Sequence, residues 1–177
     1  MKSVFVGLIS IILYVNVSMN IAQAQIKASH QSGAVTFSGQ HAGMDFTGKF
    51  ERWQAILILP PQDTPSITAT FQLDSAKTGD SIYDSTLPEF DWFDSQNYPK
   101  GEFVSTKIGT TDTGYQVSGR LTLKGITAPV SFTLKETNNK LTASFEINRL
   151  DFNIGRESDP DAEWVSKTIA LAIVINK

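Results

Sequence analysis

Apolar and polar residues alternate along most of the chain. Met44, Phe46 and Phe50 share one face of a segment whose other positions include Asp45, Thr47 and Lys49. Ile67, Ala69, Phe71 and Leu73 alternate with Thr68, Thr70, Gln72 and Asp74. The same rhythm places Tyr115, Val117, Leu121 and Leu123 on one face, then Val130, Phe132 and Leu134, then Leu141, Ala143, Phe145 and Ile147, and finally Ile169, Leu171, Ile173 and Ile175. A period of two predicts half-buried β-strands, and the Thr, Val, Ile and Phe content agrees. Turn formers separate the runs: Pro60-Pro61, Asp112-Thr113-Gly114, Gly125 with Pro129 nearby, and Asn138-Asn139, the last predicted to close a hairpin. Many short strands in succession predict an all-β domain, either a sandwich or an up-and-down barrel. Both bury one face of each strand, so the pattern leaves the choice open.

One stretch departs from this rhythm. Residues 80–98 read DSIYDSTLPEFDWFDSQNY. Asp80 or Ser81 is suited to cap a short helix, and Ile82, Leu87, Phe90, Trp92 and Phe93 do not alternate. A short helical insert covering one end of the domain is predicted here. The start of the chain also differs. Lys2, an apolar run from Val4 to Val17 and Ala22-Gln23-Ala24 have the form of a secretory signal peptide over residues 1–24. The run is shorter than the roughly 20 apolar residues a spanning helix needs. Export to the periplasm is the expectation, with a soluble domain over residues 25–177. A domain of that size can bury roughly two-thirds of its unfolded surface.

Composition narrows the chemistry. The chain has 177 residues, 15 Lys+Arg, 18 Asp+Glu and no Cys, for a net charge of −3. Phosphate-backbone binding needs clustered cations and is not favoured. Disulfides and thiolate chemistry are excluded. His30 and His41 are eleven residues apart and could meet on neighbouring strands as a metal pair, but no third ligand is indicated. Glu89, Asp91 and Asp94 surround Trp92. They read either as paired carboxylates for glycoside chemistry or, better, as the solvated side of a short helix. Asp159, Asp161 and Glu163 lack the Gly and distal Glu of a calcium loop and read as an acidic turn. No nucleophile elbow or phosphate loop is present.

The segment Gly114-Tyr115-Gln116-Val117-Ser118-Gly119-Arg120-Leu121-Thr122-Leu123-Lys124-Gly125-Ile126-Thr127-Ala128-Pro129-Val130 resembles the signature of the YceI-like, polyisoprenoid-binding family. Other blocks follow in the family's order. They are His30 with Val35 and Phe37, then His41, then Gly48-Lys49-Phe50, then Leu87 to Pro99, then Phe103-Val104-Ser105-Thr106, then Asn148 to Gly155. The likeness spans residues 26 to 177. Two departures are Asn153, where the family commonly has Gly, and a shortened segment between Phe37 and Phe50.

The resemblance implies an antiparallel lipocalin-like barrel of about eight strands, a size that can enclose one small ligand. It implies a non-enzymatic carrier of an isoprenoid-type lipid, prenyl quinone or similar amphiphile, with no cofactor. Phe37, Phe46, Phe71, Trp92, Phe93, Phe103, Leu121, Phe132 and Phe145 are the expected cavity residues, and Phe46, Phe71, Phe103, Phe132 and Phe145 could each equally pack a filled core. Gly119 is expected to leave room for a chain, and Leu87, Phe90, Trp92 and Phe93 to form a cover. Arg149 is a candidate head-group contact or the partner of an acid such as Asp80 or Asp84. Two rival readings remain: a quinone-holding accessory to a membrane b-type cytochrome, and an exported metal enzyme using His30 and His41.

Overall fold

The computed structural model describes residues 24–177. The signal-peptide reading falls almost wholly outside these residues. The described chain is nearly all strand. In chain order it forms β1 (Ile26–Ser29), β2 (Gly33–His41), β3 (Met44–Phe50), β4 (Trp53–Ile58), β5 (Ser66–Gln72), β6 (Ala76–Lys77), α1 (Ser81–Thr86), β7 (Lys100–Thr111), β8 (Gly114–Leu123), β9 (Ile126–Thr137), β10 (Lys140–Asn148) and β11 (Thr168–Asn176). Short 3₁₀ turns occupy Leu73–Ser75 and Arg149–Phe152.

All pairings are antiparallel, in the order β1-β4-β5-β7-β8-β9-β10-β11-β2-β3-β6. That order gives β1 and β2 the same direction, and likewise β3 and β4, and β5 and β6. Each pair is therefore one long strand with a bend, at residues 30–32, at Glu51-Arg52 and at Leu73–Ser75. Counted this way there are eight strands, each paired with the next in sequence. The ring closes where β11 pairs β2, with Ile173 opposite Val35, and where β3 passes through its bend into β4. Hydrogen bonds continue across the bends: Glu51 N–H donates to Ser75 O at 2.9 Å and Gln72 N–H to Arg52 O at 2.9 Å. The barrel alternative of the sequence reading is thus the observed one.

Alternation within each strand turns one face inward. Trp53, Ala55 and Leu57 of β4 and Tyr115, Val117, Leu121 and Leu123 of β8 are buried. Met44 is a correction. It shares the phase of Phe46 and Phe50 but is 65% exposed, because it sits at the tip of the β2–β3 hairpin, beyond the packed interior. The ring is uneven. β10 pairs β11 along all nine of its residues, but pairs β9 only through Lys140–Thr142. Below that point β9 and β10 part. Phe132 and Phe145 stack across the gap with centroids 4.8 Å apart and planes at 15°.

The turns at 42–43, 78–99, 124–125 and 149–167 gather at one end of the barrel, which they cap. The predicted helix is α1. The Asp80 side chain accepts from the N–H groups of Ile82 and Tyr83, as an N-cap should. The helix is shorter than the whole insert because Pro88 follows closely and has no N–H with which to continue the helical ladder after Leu87. Residues 87–98 are a run of turns instead. At the end of the second 3₁₀ turn, Asn153 adopts φ 53°, ψ 30°. This is the left-handed conformation that Gly, and among other residues Asn, tolerates, which accounts for Asn at this family Gly position. Asn153→Gly is expected to change unfolding free energy by less than about 1 kcal/mol, and Asn153→Val to lose about 1–2 kcal/mol, both read by urea denaturation.

Candidate functional site: an apolar cavity beneath a tied cap

The inward faces of the barrel do not fill it. A cavity of about 130 Å³ remains, walled by side chains of β2 to β5, of β7 to β11 and of the cap. The nine residues expected to line it, Phe37, Phe46, Phe71, Trp92, Phe93, Phe103, Leu121, Phe132 and Phe145, all stand on its wall. The wall also takes Val35, Phe50, Ala55, Leu57, Ile67, Ala69 and Leu87, and the β11 row Ile169, Leu171, Ile173 and Ile175. Its only charged member is Arg149.

Part of the interior is taken by the aromatic rings themselves. Phe50 lies 5.5 Å from Phe37, 5.5 Å from Phe71 and 5.9 Å from Phe93, and Phe103 lies 5.6 Å from Phe132, centroid to centroid. Gly119 serves these rings rather than a ligand. A Cβ there would stand 2.5 Å from the Phe103 ring, so the missing side chain seats Phe103. Gly48 does the same for Phe37, whose ring would lie 2.2 Å from an added Cβ.

The cap contributes Leu87, Trp92 and Phe93 to the cavity wall. Phe90 is a correction: it is 61% exposed, with the Lys124 ammonium 5.4 Å above its ring. Turn backbone, unlike a helix face, does not bring the whole apolar set to one side. Asp91 and Asp94 of this segment are structural. Asp91 accepts from the N–H groups of Glu157 and Ser158, both at 2.9 Å, and from the Ser158 hydroxyl. Its backbone carbonyl accepts from Gly155 N–H at 2.7 Å and Lys124 Nζ at 2.9 Å. Burial works to raise the Asp91 carboxyl pKa, but these donors and Lys124 hold it below the usual range. Asp94 is buried and accepts from Asn97 Nδ2.

Arg149 is fully engaged. Nε donates to Ser166 O at 3.2 Å. Nη1 donates to Ile154 O at 2.7 Å and Gly155 O at 3.1 Å. Nη2 donates to Val165 O at 2.9 Å and Asp159 Oδ2 at 2.6 Å. The expected ion pair therefore exists, but with Asp159 rather than Asp80 or Asp84, which lie in the insert and cap α1 and Thr78 instead. No N–H of Arg149 is left over for a head group. Asp159 also accepts from the N–H groups of Glu163, Trp164 and Val165, so the acidic turn of the sequence is a clamp on the 159–165 loop.

Burial works to raise the Asp159 pKa, yet the three N–H donors and Arg149 hold it below its ordinary value. A carboxyl depressed in the folded state contributes stability above its unfolded pKa of about 3.9, and this is lost as pH falls through the lower folded value. Unfolding free energy is expected to drop as pH falls below about 4, and Asp159→Asn to flatten that slope, as read by urea melts from pH 6 to pH 2.

A second cavity of about 180 Å³ lies at the capped end, lined by Phe37, His41, Phe46, Thr78, Ile82, Tyr83, Thr86, Leu87, Trp92 and Val165. Five of these also line the inner cavity. Of the seven exposed large apolar side chains among the described residues, Met44, Ile82, Phe90, Tyr98 and Trp164 stand at this end. His30 and His41 do not meet. The length of β2 separates them, since His30 is exposed in the bend before it and His41 ends it. His41 Nδ1 instead lies 2.6 Å from Tyr83 Oη. Among the described residues no group of three His, Asp or Glu is placed to hold a metal ion, and no helix is long and apolar enough to cross a membrane.

The sequence pattern of the YceI-like domain matches residues 25–176. The chain belongs to the YceI-like family. It is 26% identical to a UPF0312 protein of Photorhabdus laumondii across all of both chains. It is 25% identical to the protein YceI of an Escherichia coli strain over 88% of each. Among solved structures, BcnA of Burkholderia cenocepacia superposes with a TM-score of 0.75 and 25% identity, covering 85% of this chain and 99% of that one. A polyisoprenoid binding domain from Saccharophagus degradans superposes at 0.64 over 85% of this chain and 96% of that one. At 13% identity it shares the fold alone.

Proposed function

We propose that this chain is a non-enzymatic carrier, exported to the periplasm, that hides the tail of an isoprenoid-type amphiphile inside its barrel. The observation that carries the reading is the apolar cavity. A void with apolar walls gains by taking up hydrocarbon. Each buried CH₂ contributes about 0.8 kcal/mol, so a tail can be held firmly without any reacting group. The family and the polyisoprenoid binding domain among its structural neighbours support the same ligand class. At about 130 Å³, the resting cavity is comparable to an engineered void of about 150 Å³ that takes up benzene. A long tail therefore requires rings to swing aside, and the stacked Phe132–Phe145 pair and Trp92 are the side chains placed to do so.

The test is native mass spectrometry, with organic extraction, of the protein purified from the envelope of the cells that make it. A co-purifying lipid of isoprenoid mass spacing is the expected result. Protein that emerges empty, and takes up no prenyl lipid from detergent solution, overturns the reading.

A further inference from the structure

The inner cavity explains the tail of an amphiphile but offers nothing to its head, because Arg149 has no donor to spare. The outer cavity differs. It shares Phe37, Phe46, Leu87, Trp92 and Val165 with the inner one, so the two are separated only by side chains. Its hydroxyls are mostly committed: Thr78 Oγ1 donates to Asp84 Oδ1 at 3.0 Å and Thr86 Oγ1 to Ile82 O at 2.9 Å. The exception is the His41–Tyr83 pair. The 2.6 Å bond between Nδ1 and Oη leaves His41 Nε2 without a protein partner.

This pair is adaptable. When Tyr83 O–H donates to Nδ1, Nε2 carries the proton and can donate to a carbonyl. When Nδ1–H donates to Tyr83 Oη, Nε2 accepts and the phenol proton is free to donate. Either a carbonyl or a hydroxyl head is satisfied. The surroundings discriminate by charge. Across residues 41–45, 77–100, 124–125 and 149–167 there are eleven Asp and Glu against six Lys and Arg. Asp84 is bound to the N–H of Thr78, a lining residue, at 2.6 Å, Asp80 caps α1, and Asp45 lies on the β2–β3 hairpin. The nearby cation, Lys77, donates to Asp84 O. A polyanionic head would meet these carboxylates with like charge.

We propose that the His41–Tyr83 pair is the head-group site of the carried lipid, and that it accepts an uncharged oxygen head, a hydroxyl or a quinone or amide carbonyl, and refuses a diphosphate. The proposal rests on the carrier reading above, and its test separates the two. Three probes of one tail length are titrated against the intact chain: farnesol, farnesyl diphosphate and the hydrocarbon farnesene. Tryptophan emission is the readout, since Trp92 lines both cavities. Farnesol is expected to bind at least about tenfold more tightly than the diphosphate. Tyr83→Phe and His41→Leu are expected to weaken farnesol about fivefold, the worth of one hydrogen bond, while leaving farnesene unchanged. Diphosphate binding as tight as farnesol, or variants that lower farnesol and farnesene equally or neither, overturns the head-group site and leaves the carrier standing. Binding of none of the three overturns both.

Discussion

Arg149→Ala is expected to lose about 3–5 kcal/mol of unfolding free energy, the range for removing one partner of a buried ion pair. The guanidinium is 2% exposed and ties together Ile154, Gly155, Asp159, Val165 and Ser166. Its removal leaves the buried Asp159 carboxylate without its cation and takes a donor from the carbonyls of Ile154, Gly155, Val165 and Ser166. For a domain of about 150 residues the loss corresponds to a fall in Tm of about 10 °C or more. Arg149→Lys is not a conservative control, because an ammonium has three donors and no planar fork, and it too is expected to be strongly destabilised. Urea melts check both. A loss below about 1 kcal/mol together with abolished lipid uptake would instead return Arg149 to a ligand-binding role.

Ala69→Phe is expected to act in the opposite way, leaving the fold intact and cutting uptake of a prenyl probe by about a hundredfold or more. Ala69 of β5 is half-buried and stands on the cavity wall between Ile67 and Phe71. A ring there projects into space that is open rather than into a packed neighbour, so overpacking strain, about 1–3 kcal/mol in a filled core, is small. The hydrocarbon it displaces is worth about 0.8 kcal/mol per CH₂; losing contact with four carbons weakens binding by about 3 kcal/mol. Probe titration alongside thermal melts separates occlusion from unfolding. Unchanged uptake in a well-folded variant would mean the tail does not lie in this cavity.

The sequence was most informative where a strand keeps one side wet and one side dry. β8 and β10 alternate cleanly; Leu121, Leu123, Phe145 and Ile147 of their inward rows reach the cavity wall, while Tyr115, Val117, Leu141 and Ala143 are buried in the core beyond it. β4 carries no clear alternation because Ile56 and Ile58 stand between Ala55, Leu57 and Leu59; an apolar run hides its period. Depth is a separate variable from side, which is why Met44 has the right phase and the wrong environment. Contacts made through loops follow no periodic rule. The link from Arg149 to Asp159 closes through an irregular ten-residue segment, and that from His41 to Tyr83 joins a strand end to a helix 42 positions away. Asp91 beside Trp92 and Asp159 in the 159–163 turn advertised chemistry but hold backbone, since short acidic side chains are the common way to satisfy N–H groups in turns.

The short β9–β10 ladder has a dynamic consequence. Separating these two strands breaks three residue pairs, against nine between β10 and β11. Local opening is drawn to the place where the fewest bonds resist it. Deuterium should therefore enter the backbone of Ala143–Asn148 and its neighbour across the gap well before it reaches β8, and the barrel should breathe sideways, through the Phe132–Phe145 stack, rather than along its axis.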